Sequence, residues 1–334
     1  MALEQPTEET WSRFFAGEKL ACARLITLVD NYPEKVQTIR DRLFPHMHQA
    51  VRIGITGPPG VGKSTITAAL ARQALAEDFS VGIIAVDPSS PFTGGAFLGD
   101  RVRMQNLIGN PRVFIRSLAS RSGGGLSPST PYVADVFDAF GMDLILIETV
   151  GVGQAELDVL KCADVIMLIL QPSTGDIIQM LKAGIMETAD VFVINKSDLP
   201  GATQLKEHIR FIFTTSSVYT PENTPPVVEA SALNETGIDE VFSVLRGRIG
   251  VMRRSGRFQE KRRERTMSDV IDSVKTHLWS EFMRRIVSVD SIRENTEEIA
   301  DSGRSPYPFI RSLCDAVEVR MRDGSVSGPD SPEE

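Results

Sequence analysis

The chain has 334 residues, 42% hydrophobic and 24% charged, with a formal net charge of -8. That length holds one large α/β domain with helical additions, or two domains, and the composition is that of a soluble globular protein. The acidic balance excludes a general nucleic-acid binder; three scattered cysteines (Cys22, Cys162, Cys314) supply no metal framework and suit a reducing compartment; no apolar run is long enough to span a bilayer.

The first nine residues are acidic and match neither a secretory signal nor a mitochondrial transit peptide, so the expected address is cytoplasmic. Residues 1–49 read as a helical extension. Trp11, Phe14, Phe15, Leu20, Leu25, Ile26 and Leu28 recur at helical spacing, and a second stretch follows through Val36, Ile39 and Leu43, with Pro33 at its start. His46 and His48 stand one residue apart, but without cysteine or acidic partners nearby they read as structural or exposed.

Residues 50–252 alternate short Val/Ile/Leu runs with helical patterns. Strands are expected at 51–56, 81–87, 113–117, 143–148, 165–170, 191–195 and 227–230. The runs are continuously apolar, as in strands covered on both faces, so the fold class is α/β: a mostly parallel sheet flanked by helices, with helical extensions at both ends. Residues 253–322 are helical again, with Val270, Ile271, Val274, Leu278, Phe282 and Ile286 on one stripe. The basic cluster at 261–265 reads as a solvated helix face broken by Glu264, and 323–334 as a disordered tail.

The chemistry is announced by Gly57-Pro58-Pro59-Gly60-Val61-Gly62-Lys63-Ser64-Thr65, a complete G-x-x-x-x-G-K-[ST] between a strand and a helix. Such a loop turns backbone N–H groups and a helix N-terminus toward phosphates. Lys63 is expected on the β- and γ-phosphates and the Ser64 hydroxyl on Mg²⁺. Asn195-Lys196-Ser197-Asp198 follows an apolar strand as N-K-x-D, whose carboxylate accepts from guanine N1–H and the 2-amino group. Ser231-Ala232-Leu233, after the next strand, resembles the loop that meets the guanine oxygen. Asp87, Asp100 and Glu148 are candidate carboxylates for Mg²⁺ or its waters, with capping or ion pairing as the alternative, strongest for Asp100. Glu148-Thr149-Val150-Gly151 stands where many GTPases carry D-x-x-G, with Gly151 approaching the γ-phosphate. Val152 follows it where Ras-like enzymes hold a water-orienting glutamine; Gln154 is the nearest substitute. Slow intrinsic turnover, accelerated by a partner or by dimerisation, is therefore expected.

Taken together, residues 57–65, Val86-Asp87-Pro88-Ser89-Ser90-Pro91-Phe92-Thr93-Gly94-Gly95-Ala96-Phe97-Leu98-Gly99-Asp100-Arg101-Val102-Arg103-Met104, 148–156 and 195–198 resemble the GTPase chaperones of cobalamin-dependent acyl-CoA mutases, the MeaB type. The resemblance spans nearly the whole chain. It implies a signal-recognition-particle-like P-loop GTPase, a homodimer held by the C-terminal arm, and GTP-gated loading or repair of adenosylcobalamin in a partner mutase. It implies a cobalamin adenosyltransferase as supplier of the cofactor, and a partner-responsive loop containing Asp176, Gln179 and Lys182, which also reads as an ordinary helix start. Adenosylcobalamin is expected to belong to the partner, since D-x-H-x-x-G is absent here. Residues 117–126 depart from the family's usual Pro-x-Pro pattern and look more like the GTPase domain fused into isobutyryl-CoA mutases. That leaves the client open among methylmalonyl-, isobutyryl-, ethylmalonyl- and 2-hydroxyisobutyryl-CoA mutases. The competing readings are a P-loop small-molecule kinase, which has no need of N-K-x-D, a GTPase metallochaperone, which would carry histidines or cysteines near its switches, and a GTP-sensing scaffold without turnover.

Overall fold

The computed structural model describes residues 5–47, 50–87, 104–120, 126–151, 158–172, 184–216, 219–220, 223–285 and 289–323. Helices α1 (Glu8–Phe15), α2 (Lys19–Asn31) and α3 (Val36–Leu43) come first. The Thr7 side chain caps α1 by accepting from the Thr10 N–H at 3.2 Å. The first apolar stretch was expected as one helix; it is two, because the chain turns at Gly17, whose φ is +82°. Pro33 opens a short 3-10 turn, Pro33–Lys35, that leads into α3.

Then follow β1 (Val51–Thr56), α4 (Lys63–Ala76), β2 (Val81–Asp87), β3 (Val113–Ala119), α5 (Thr130–Ala139), β4 (Leu144–Glu148), β5 (Val165–Leu170), α6 (Ile185–Thr188), β6 (Val191–Ile194), α7 (Ala202–Thr215), β7 (Val227–Glu229) and α8 (Ile238–Arg254). The strands form one seven-stranded sheet in the order β3-β2-β4-β1-β5-β6-β7, and every neighbouring pair is parallel. All seven expected strands are present, with ends shifted by at most two residues.

The uninterrupted apolar runs are explained by helices on both faces. Val51, Ile53 and Ile55 of β1 point into a core shared with α4 and α8. Alternate positions, such as Ile84 and Val86 of β2 and Ile145 and Ile147 of β4, pack on the opposite face against α1–α3 and α5. Leu168, Leu170, Phe192 and Ile194 continue that face under α7. The N-terminal helices are therefore part of the sheet's cover, through Trp11, Phe14, Leu25 and Leu28.

The chain divides into two compact units, Met1–Arg262 and Arg263–Glu334, and the boundary falls inside α9 (Arg257–Arg285). The second unit holds the rest of α9, α10 (Val289–Ser302) and α11 (Tyr307–Asp323), and exposes Met267, Val270, Val274, Leu278 and Trp279. At the end of the first unit the expectation of a solvated basic face is corrected. Lys261 Nζ lies 2.5 Å from Asp190 Oδ2, and Arg262 Nη2 lies 3.2 Å from Asp164 Oδ2. Both carboxylates are fully buried, and each also accepts a strand N–H: Ile166 donates to Asp190 at 2.9 Å and Arg52 to Asp164 at 3.0 Å. Carboxylates withdrawn from water beneath a sheet need cations as well as amides, and the sequence places those cations far downstream.

Candidate functional site

β1 ends at Thr56, residues 57–62 turn, and α4 begins at Lys63. Gly62 caps the 14-residue helix at φ +94°, and a Cβ there would stand 2.4 Å from Asn195 Nδ2, so both conformation and space require glycine. The first N–H groups of α4 have no acceptor within the helix and carry its positive end. Lys63 is buried; its Nζ donates to the carbonyls of Gly57 at 2.9 Å and Pro58 at 3.0 Å. The ammonium is thereby held across the mouth of the turn.

Gly151, in the segment after β4, closes on the same point. At φ +81°, an added Cβ would meet Lys63 Nζ at 2.3 Å and the Gly57 carbonyl at 2.6 Å. The ladder between β1 and β4 sets this approach, with Ile55 in register with Glu148. The Thr149 N–H donates to the Ile55 carbonyl at 3.1 Å, and its hydroxyl donates to Thr56 Oγ1 at 3.2 Å. This buried threonine pair escaped sequence reasoning. Its only sequence signal is a threonine that ends one strand and another just past the end of a second, and their adjacency depends on strand order.

Ser64 Oγ donates to Glu148 Oε1 at 2.6 Å, and both residues are buried. Two of the four residues expected around Mg²⁺ are therefore side by side. A hydroxyl and a carboxylate oxygen are hard donors of the kind that ion takes. Asp87 ends β2, whose register pairs Ala85 with Glu148, so its backbone emerges beside Glu148; its side chain lies outside what is described. Asp100, Gln154, Asp176, Gln179 and Lys182 also lie outside the described residues, as do 121–125 of the unusual segment.

On the base side, β6 delivers Asn195, which is 2% exposed. Its Nδ2 donates to the Val61 carbonyl at 2.8 Å, its Oδ1 accepts from the Ala232 N–H at 3.0 Å, and its own N–H donates to Leu170 at 2.8 Å. One amide side chain thus joins the phosphate turn to the loop after β7. Lys196, at φ +57°, sends Nζ to the Gly60 carbonyl at 2.8 Å. Ser231 Oγ donates to Asp198 Oδ1 at 2.5 Å, orienting the carboxylate expected to read guanine. Ser231 and Thr236 close the loop by paired backbone hydrogen bonds, and within it Leu233 is 83% exposed. The turn at 57–62, Glu148, Gly151, Asn195, Asp198 and Ser231 thus gather at the carboxyl ends of β1, β4, β6 and β7, where open parallel sheets bind ligands.

The profile of a family described as methylmalonyl Co-A mutase-associated GTPase MeaB matches residues 22–286. The chain belongs to the MeaB family. A Pyrococcus abyssi protein with a GTPase name is 43% identical over 96% of this chain and 98% of its own length. Escherichia coli GTPase ArgK is 31% identical over 97% of this chain and all of its own. A Caenorhabditis elegans relative named methylmalonic aciduria type A homolog, mitochondrial, is 32% identical over 96% of this chain and 79% of its own. The crystal structure of an LAO/AO transport system kinase superposes with a TM-score of 0.68 at 24% identity, covering 95% of this chain and 99% of that one, and shows the same fold. As a MeaB-family P-loop protein whose relatives are named GTPases, the chain is a GTP-hydrolysing enzyme. Among the described residues no helix is long and apolar enough to cross a membrane.

Proposed function

We propose that this MeaB-family GTPase is a chaperone that couples GTP hydrolysis to loading, protection or repair of adenosylcobalamin in a cobalamin-dependent acyl-CoA mutase. The observation that carries the reading is the family match over residues 22–286, whose description names mutase association. The methylmalonic aciduria name of a relative aligned over 96% of the chain supports it.

In this reading residues 50–252 are the catalytic domain, and the helical arm from 253 to 322 makes a homodimer. The turn from Gly57 to Gly62, with Lys63 and Thr65, holds the triphosphate, and the Gly151 N–H meets the γ-phosphate. Ser64, Glu148, Asp87 and Asp100 hold Mg²⁺ directly or through water; when bound, the ion neutralises charge that develops on the phosphate oxygens. The direct Ser64–Glu148 contact supports the first two of these four. Asp198, held by Ser231, reads the guanine edge, while Asn195 and Lys196 keep the base loop and the phosphate turn in one register. The loop Ser231-Ala232-Leu233, tied to Asn195 through the Ala232 N–H, meets the guanine oxygen, with Leu233 at the open side. Val152 leaves no glutamine beside Gly151, so basal turnover is slow and a partner accelerates it. Gln154 and the segment with Asp176, Gln179 and Lys182 are where the partner acts. Adenosylcobalamin stays with the mutase, and an adenosyltransferase delivers it.

The test is steady-state hydrolysis of GTP and of ATP by the purified protein, alone and with each candidate mutase. Stimulation of GTP turnover by one mutase, with ATP inert, is the expected result and identifies the client. GTP turnover that no mutase changes would retain the GTPase and remove the mutase role.

A further inference from the structure

We propose that the groove between the start of α2 and the start of β3 binds a small apolar carboxylate. The concavity holds about 380 Å³, within the range of small-molecule sites. Its floor is carbon, with Ala23, Val113 and Phe114 contributing, and its lips are Leu20 and Ile108, which are 77% and 60% exposed. A single large apolar side chain in water is unremarkable, but two flanking one cavity form a continuous apolar surface that a ligand would cover.

Among the described residues one charged side chain, Lys19, lines this apolar wall. Lys19 Nζ donates to the carbonyls of Asn110 at 2.6 Å and Val113 at 2.7 Å. An ammonium has three donors, so one remains after the two carbonyls, and those two bonds hold the charge at the groove's lining. Burial also lowers the Lys19 pKa, as expected for a cation drawn partly out of water. A fixed positive charge beside a carbon-lined slot selects a monoanion with a hydrophobic tail over a neutral or cationic one. The slot's volume suits a molecule of about a dozen heavy atoms, whereas a stable protein contact needs roughly 800 Å² from each partner. The groove is also separate from the nucleotide site. Val113 pairs with Val81 at the amino-terminal ends of their strands, opposite the carboxyl ends where the phosphate turn lies.

The experiment is calorimetric titration of the full chain with octanoate, octan-1-ol and octylammonium. Octanoate is expected to bind once per chain, about tenfold or more tighter than octanol, with octylammonium silent. Ala23→Trp, which fills the slot, should abolish octanoate binding, and Lys19→Met should erase the preference for octanoate over octanol. Basal GTP hydrolysis should be unchanged in both and reports folding. Should Ala23→Trp lose that activity, Ile108→Asp, at an exposed lip, replaces it by setting a like charge against the carboxylate. No octanoate binding at millimolar concentration would overturn the proposal. So would equal binding of octylammonium, or binding that survives both Ala23→Trp and Ile108→Asp. Self-association of the wild type that Ile108→Asp abolishes, without octanoate binding, would assign the groove to a protein contact and equally overturn it.

Discussion

Replacing Gly151 by alanine adds one methyl group where the structure leaves no room. The new Cβ would lie 2.3 Å from Lys63 Nζ, 2.6 Å from the Gly57 carbonyl oxygen and 3.2 Å from the Pro58 carbonyl carbon. The lysine end is the movable neighbour, but retreat breaks its hydrogen bonds at 2.9 and 3.0 Å to Gly57 and Pro58. Hydrogen bonds from a charged donor contribute about 1.5 to 3 kcal/mol each. The left-handed backbone at φ +81° costs alanine roughly another 1 to 2 kcal/mol. Part is recovered by shifting the 150–151 peptide, so a net loss of about 2 to 4 kcal/mol is expected, divided between folding and phosphate binding. Urea unfolding should move to lower midpoint, and GTP affinity, by titration with a non-hydrolysable analogue, should fall at least about tenfold. GDP lacks the γ-phosphate that Gly151 is expected to meet, so its affinity should fall less. Unchanged unfolding together with unchanged affinity for the GTP analogue would refute this account of the Gly151–Lys63 contact.

Three further outcomes follow from other contacts. Asp198→Asn exchanges one acceptor for a donor facing the guanine 2-amino group, so GTP should bind about 100-fold or more weakly while xanthosine triphosphate, with an oxygen there, gains; competition binding with both nucleotides checks it, and an unaltered preference would remove Asp198 from the base site. Arg52→Met strips a cation from Asp135 at 2.8 Å and Asp138 at 3.3 Å, all fully buried. Burial opposes the Arg52 charge, but Asp135, Asp138 and Asp164 outweigh it and raise its pKa. Denaturant unfolding of this variant should show a loss of about 3 to 5 kcal/mol, and a loss below about 1 kcal/mol would contradict the ion cluster. Of the three thiols, Cys22 and Cys162 are buried and Cys314 is exposed. Burial also pushes the Cys22 thiol pKa up. Titration with an aromatic disulfide should therefore find at most one fast thiol in the native protein and three in denaturant, and a second fast thiol would show that the core opens.

Much was legible in one dimension because its causes are local. Seven short apolar runs flanked by turn residues have the pattern of strands covered on both faces, and the phosphate turn and the N-K-x-D loop are contiguous segments whose backbone needs are written in their own residues. Gly62 and Asn195 could each be named from the sequence. That a Cβ on Gly62 would strike the Asn195 amide, and that this amide joins Val61 to Ala232, could not. The break at Gly17 is hidden in the pattern, because apolar periodicity runs on across it while a left-handed glycine redirects the chain.

Sequence alone carried the nucleotide chemistry, written in contiguous motifs, and the parallel sheet, written in apolar runs alternating with helical patterns, and those motifs together carried the resemblance to the family. Only the tertiary structure decided that Ser64 reaches Glu148, that Thr56 meets Thr149, and that Lys261 and Arg262 hold Asp190 and Asp164. These partners lie far apart along the chain. The first two pairs meet because strand order sets β1 beside β4, the last two because α9 passes the starts of β5 and β6, and a buried charge or hydroxyl is stable only where the fold brings its counterpart.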